Sequence, residues 1–108
     1  MNQPINIDQK CFEIKKPGSP IDVANLNNQV VRLALFEGEY PFHKHEIEDE
    51  LFFVVKGSFV LQRKGFPDLL LNEGDMFVVE KGIEHRAVSP MKSYVLMFEP
   101  QSLKSKGD

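Results

Sequence analysis

The stretch HKHEIEDE, residues 43–50, holds two of the chain's three histidines and four of its acidic residues. His43 and His45 are two positions apart. In an extended segment, side chains i and i+2 leave the same face about 6.6 Å apart. Imidazole nitrogens can converge from there on one metal ion at bond lengths of about 2.0–2.1 Å. An H-x-H pair is therefore a strand chelate, just as H-x-x-x-H is a helical one. Taken alone it also describes two surface histidines, and at this point both readings stand. A straight strand would carry Asp49 about 13 Å past His45, outside any first coordination shell. So either no carboxylate joins the pair, or the chain bends through residues 46–49 and the next strand delivers one. After such a bend Glu50, Phe52 and Val54 share a face, and Glu50 can open a strand pointing inward. Glu46, Glu48 and Asp49 read as a solvated acidic loop.

The elements that must position these residues are strands. Ile21 and Val23 alternate with polar neighbours, and Asn27-Asn28 follows at a point where a tight turn into QVVRLALF is favourable, because Asn tolerates positive φ. A short helix capped by Ser19 with Pro20 at its first position is the alternative. The strand-like alternation beyond the turn favours the hairpin. ELFFVV, a Lys56-Gly57 turn and SFVLQR form the strongest hairpin signal. Gly65 and Pro67 break the next segment. LLL, a turn at Asn72-Glu73-Gly74, DMFVVE, HRAV and SYVLMFE then follow in order. Helical periodicity is nearly absent. About eight or nine short antiparallel strands at this spacing predict an all-β sandwich or barrel.

At 108 residues the chain forms one domain. Its net charge of −3 with scattered basic residues argues against nucleic acid and acidic membrane surfaces as partners. Nine phenylalanines without a tryptophan suit a core better than a base-stacking platform. The single cysteine, Cys11, has no partner for an internal disulfide and reads as an inert thiol in a reducing compartment. No secretory signal is visible, and LFFVV, the longest apolar run, is too short to span a bilayer. These features predict a soluble cytoplasmic protein. There is no G-x-S-x-G elbow, glycine-rich phosphate loop or dinucleotide fingerprint.

Residues 38–57 read G-x4-H-x-H-x4-E-x6-G, and residues 74–89 match G-x5-P-x-G-x2-H-x3-N at Gly74, Gly82 and His85. Together these runs resemble the two motifs of the cupins, in particular the small single-domain, mannose-6-phosphate-isomerase-like cupins of the cupin 2 type. All three histidines fall on motif positions. Glu80 stands in place of the motif's proline, Ser89 in place of its asparagine, and four residues rather than five precede His43. These departures bear on turn geometry more than on the ligands.

The resemblance implies a single-domain, all-β cupin barrel (a double-stranded β-helix or jelly roll) of about eight or more antiparallel strands. It implies His43, His45, Glu50 and His85 as ligands of one divalent transition metal. Such a set suits Fe, Mn, Ni or Zn without choosing among them. It also implies a homodimer. Residues 1–28 would supply N-terminal strands packing on the barrel or exchanging between barrels, residues 29–100 the barrel, and residues 101–108 a flexible polar tail. The resemblance supports the fold and leaves the reaction open; with a metal so held, the first function expected is that of a metal-dependent dioxygenase, isomerase or lyase on a small organic molecule. A non-catalytic metal- or metabolite-binding module is the alternative, because one fold hosts many chemistries. Phe36, Phe42, Phe52, Met76 and Phe98 are candidates for lining the pocket, with ordinary core as the plainer reading of each. Arg32, in an otherwise apolar strand, would meet an anionic substrate or lie on the solvent face.

Overall fold

The computed structural model describes residues 3–102. A short helix, α1 (Ile7–Glu13), precedes seven strands: β1 (Ile21–Leu26), β2 (Gln29–Glu39), β3 (Glu50–Lys56), β4 (Ser58–Arg63), β5 (Leu69–Asn72), β6 (Met76–Val79) and β7 (His85–Pro100). All strand pairings are antiparallel. The strands run β1-β2-β7-β3-β6 across the sheet, and β4 joins β7 on one side and β5 on the other.

Alternation along the strands separates two faces. Ala34 and Phe36 of β2 and Val95 and Met97 of β7 point into the barrel. Phe52, Val54, Phe59, Leu61, Leu71 and Val79 meet them there. The intervening Leu33 and Leu96 point outward, where Cys11 and Ile7 of α1 cover them. The hairpin at Asn27-Asn28 forms, with Asn27 at φ 56°. At the β3–β4 turn Gly57 is required twice over. Its φ is 82°, and a Cβ there would lie 2.7 Å from the Lys92 carbonyl oxygen.

Two elements differ from the sequence expectation. HRAV and SYVLMFE belong to one strand, β7, which bulges where a break was expected. Phe36 faces Ser93 and Gly38 faces Ser89, so Pro90, Met91 and Lys92 stand opposite Glu37 alone. The Ser89 and Ser93 hydroxyls hydrogen-bond at 2.9 Å beneath the bulge. This bend lets the first part of β7 pair with β4 and its later part with β3, which curls the sheet around the core.

The other difference is α1. At two turns it is too short for periodicity to stand out. Even so, Asn6 caps it by accepting the Gln9 N–H at 2.9 Å, and Cys11 and Ile14 are buried. Cys11 is thus on a helix, where strands were expected over residues 1–28. Burial pushes its thiol pKa up, which fits an inert side chain. Of the polar tail, Gln101 donates its N–H to the Asn28 carbonyl and Ser102 donates to Glu48. Residues 1–2 and 103–108 lie outside the described residues. No helix among the described residues is long and apolar enough to cross a membrane.

Candidate metal centre

His43 and His45 lie in the connection between β2 and β3 rather than in a regular strand. Their placement comes from backbone bonds to the turn that follows β6. His43 N–H donates to the His85 carbonyl at 3.0 Å, and His85 N–H donates back at 2.9 Å. Gly82 N–H donates to the His45 carbonyl at 2.7 Å, and Asp49 accepts the Lys81 N–H at 2.8 Å. These bonds return the third histidine to the first two. The chain bends through residues 46–49, and Glu50 opens β3 facing inward at 2% exposure.

One ligand atom from each of His43, His45, Glu50 and His85 lies within 4.8 Å of the others. Glu50 Oε1 is 3.6 Å from both His45 Nε2 and His85 Nε2, too long for hydrogen bonds. His45 Nδ1 and Nε2, Glu50 Oε1 and His85 Nε2 are buried without a hydrogen-bond partner among the described residues. Each such orphan costs about 1–3 kcal/mol, so the arrangement has an unmet demand at the point where the atoms converge. Two donors on one transition-metal ion sit at most about 4.4 Å apart, and a small side-chain rotation brings this set into range. The donor set therefore fits such an ion. His85 Nδ1 is 2.8 Å from the Ile83 carbonyl, and donation there leaves Nε2 unprotonated and free to ligate. His43 Nδ1 makes a longer contact, 3.4 Å, to the Pro41 carbonyl.

The electrostatics agree with a cation-binding role. Burial, followed by the neighbouring His85, lowers the His43 pKa and favours the neutral imidazole that a metal needs. Burial alone would raise the Glu50 carboxyl, but the facing His45 and His85 hold it well below the usual carboxylate range.

Glu99, which sequence reasoning passed over, is fully buried beside Glu50. Burial and then Glu50 push its pKa up to about 9, against the pull of Arg32. One signal was available: in the alternation Val95, Met97, Glu99, the acid occupies an interior position. Arg32 meets neither sequence expectation. Its Nε donates to Asp22 at 3.0 Å and its NH1 to Glu99 at 3.3 Å, so its anions are internal to the protein.

A cavity of about 440 Å³ opens over His43, Glu50 and His85. Phe36, Phe42 and Phe52 line it, together with Met97, Ala87 and Tyr40. Met76 and Phe98 do not. They lie on the outer face at 61% and 41% exposure, because their positions on β6 and β7 have outward parity. Pro41 and residues 16–20, the latter between α1 and β1, form the rest of the wall, and Gly18 N–H ties this segment to the Leu35 carbonyl at 3.1 Å. Phe42 is held by cations outside the cavity, with Arg86 4.6 Å and Lys64 4.9 Å from its ring centre.

Residues 29–98 match the family model of the cupin domain. The chain is 33% identical over 87 residues to protein YdbB of Bacillus subtilis (strain 168), a match covering 81% of this chain and 77% of that one. A cupin-2 domain protein from Shewanella frigidimarina superposes with a TM-score of 0.87 at 29% identity, covering 90% of this chain and 94% of the other. Protein NMB1881 from Neisseria meningitidis gives 0.83 at 26% identity, covering 92% and 100%.

Proposed function

The chain belongs to the cupin family, and from that premise we propose that it binds one divalent transition metal through His43, His45, Glu50 and His85 and uses it on a small, largely apolar organic molecule. The observation that carries this reading is the convergence of four donor atoms, most of them buried without partners among the described residues, with His43, Glu50 and His85 open to an aromatic-walled cavity. When bound, such an ion supplies Lewis acidity or an oxygen-activating centre, which suits a dioxygenase, isomerase or lyase. The protein's own groups do the rest. Phe36, Phe42 and Phe52 exclude water and give a flat substrate its walls. Lys16 offers a cation to an anionic group, and Tyr40, whose oxygen already accepts the Glu37 N–H at 3.1 Å, has a hydroxyl proton to donate.

The test is elemental analysis of protein purified without chelator or metal-affinity resin, beside His45→Ala. Near-stoichiometric Fe, Mn, Ni or Zn, lost in the variant, is the expected result. Equal metal in both proteins removes this site from consideration. A non-catalytic binding module is the second reading. It is favoured by the cavity wall, where no carboxylate or imidazole outside the ligand set is found among the described residues. Oxygen uptake or conversion to a new product with small diketones or phenols separates the two, because a binding module is stabilised by such compounds without consuming them.

The partner we propose is a second copy of the chain. Met76, Val78 and Phe98 leave an apolar patch on the outer face of β6 and β7, and β1 is an edge strand with room to pair or exchange. The buried thiol of Cys11 suits a reducing, cytoplasmic setting.

A further inference from the structure

We propose that Glu99 and Arg32 form a buried clamp that positions the Glu50 carboxylate for the metal. The inference rests on the reading of His43, His45, Glu50 and His85 as ligands and assigns a role to two residues outside that set. It starts from register. Leu51 pairs with Phe98 and Phe52 with Met97, so one further antiparallel step sets Glu50 beside Glu99 on neighbouring strands. Both face the barrel interior, where the steps before them, Phe52 with Met97 and Val54 with Val95, are apolar. Two carboxyls side by side in such a place repel each other and lose hydration. They persist only where each has a partner of opposite character.

The structure supplies a partner at each end. On one side the imidazoles of His45 and His85 lie 3.6 Å from Glu50. On the other, Arg32 NH1 is 3.3 Å from Glu99 Oε1 while its Nε is held by Asp22 at 3.0 Å. Asp22 is largely exposed and Arg32 is 16% exposed, so the guanidinium is anchored at the surface and reaches inward. The row therefore runs Asp22, Arg32, Glu99, Glu50 and then the histidines. The second oxygen of Glu99, Oε2, has no hydrogen-bond partner among the described residues, and register sets this buried carboxyl next to Glu50 on the neighbouring strand. Arg32 fixes Glu99, and Glu99 limits the orientations open to Glu50.

Groups that orient a metal-ligating side chain from behind are worth about 10–100-fold in metal affinity. Glutamine at position 99 keeps an acceptor for Arg32 and a donor for Glu50, whereas leucine keeps neither. The experiment is a Co(II) titration against a competing chelator, with the visible absorption of the bound ion as a second readout. Glu99→Leu should bind Co(II) about 10–100-fold more weakly and with an altered spectrum. Glu99→Gln should stay within about threefold of wild type and keep its spectrum. If Glu99→Leu does not fold, Arg32→Met carries the test from a partly exposed position, with a weakening of about tenfold expected. Wild-type affinity and spectrum in Glu99→Leu, or in Arg32→Met, overturns the clamp. A wild-type protein that binds no Co(II), or a His45→Ala variant that binds it equally well, overturns the metal reading beneath it. That failure is distinguishable because it needs neither clamp variant to be seen.

Discussion

The inner and outer faces of β7 and its neighbours each hold what their surroundings disfavour. Inside, among Phe52, Val54, Val95 and Met97, stand Glu50, Glu99 and His85, all buried. Outside, facing water, stand Met76, Val78 and Phe98. A sheet optimised only for stability would reverse both choices. On the proposed reading, the ionisable groups in the core serve chemistry and the apolar groups at the surface serve contact with a second copy. Strand parity keeps the two sets apart within the same short run of sequence, so each can be broken without touching the other.

The largest effect expected is on the inner face. His45→Ala removes a side chain that is 2% exposed and has no hydrogen-bond partner among the described residues, and elemental analysis should show metal falling to background while the far-ultraviolet circular dichroism persists. Retained metal would erase the contrast between the faces. Next comes the apolar part of the same interior. Phe59 is 1% exposed and packs edge-on against Phe36, with ring centres 5.3 Å apart. Phe59→Ala should cost about 3–5 kcal/mol in urea unfolding. The outer face predicts the opposite signature. If the proposed dimer forms through this patch, Phe98→Lys should change stability by less than about 0.5 kcal/mol per chain and leave metal content intact, yet shift the sedimentation coefficient to that of a monomer. Dimers that survive the substitution would place the contact elsewhere.

A subtler difference is in pH. Glu99 has an ordinary value of 4.5 when unfolded and about 9 when folded. Between those values the folded metal-free chain keeps a proton that the unfolded chain releases, so stability should fall as pH rises through that window. Glu50 acts in the other direction, since its lowered value adds stability above 4.5 that is lost as pH falls below it. The metal-free protein should therefore show its highest urea midpoint at mildly acid pH and decline from about pH 5 to about pH 9. Glu99→Gln should flatten that decline. An unchanged slope in the variant would assign it to another group.

Much of this was legible in the sequence because parity and spacing are local. The two motifs located His43, His45, Glu50 and His85, and the alternation around ELFFVV set which side Glu50 would face. What escaped depended on non-local register. Arg32 looked like a surface or substrate-facing cation because its anion, Glu99, is 67 residues away along the chain. Met76 and Phe98 were pocket candidates by residue type, with ordinary core as the plainer reading, while their parity had already turned them outward. The segment at residues 16–20 walls the cavity from a region whose loop composition carries no periodic signal. The two turns of α1 were hidden by their brevity.

The sharpest contrast within one stretch is also the smallest in energy. Of the four acids in residues 43–50, Glu50 alone is buried. Glu46 pairs with Lys44 at 3.3 Å with both side chains about half exposed, and Glu48 accepts the Ser102 hydroxyl at 2.8 Å. Exposed pairs of this kind contribute about 0.2–1 kcal/mol, because water and salt screen them. Glu46→Gln should therefore shift the urea midpoint only slightly and leave metal stoichiometry at the wild-type value. Glu50→Gln, of the same chemistry four residues on, should lower metal occupancy in the same assay. If the two variants lost metal to the same degree, burial would not be what distinguishes a ligand from a solvated neighbour here, and the acidic loop itself would have to bind the ion.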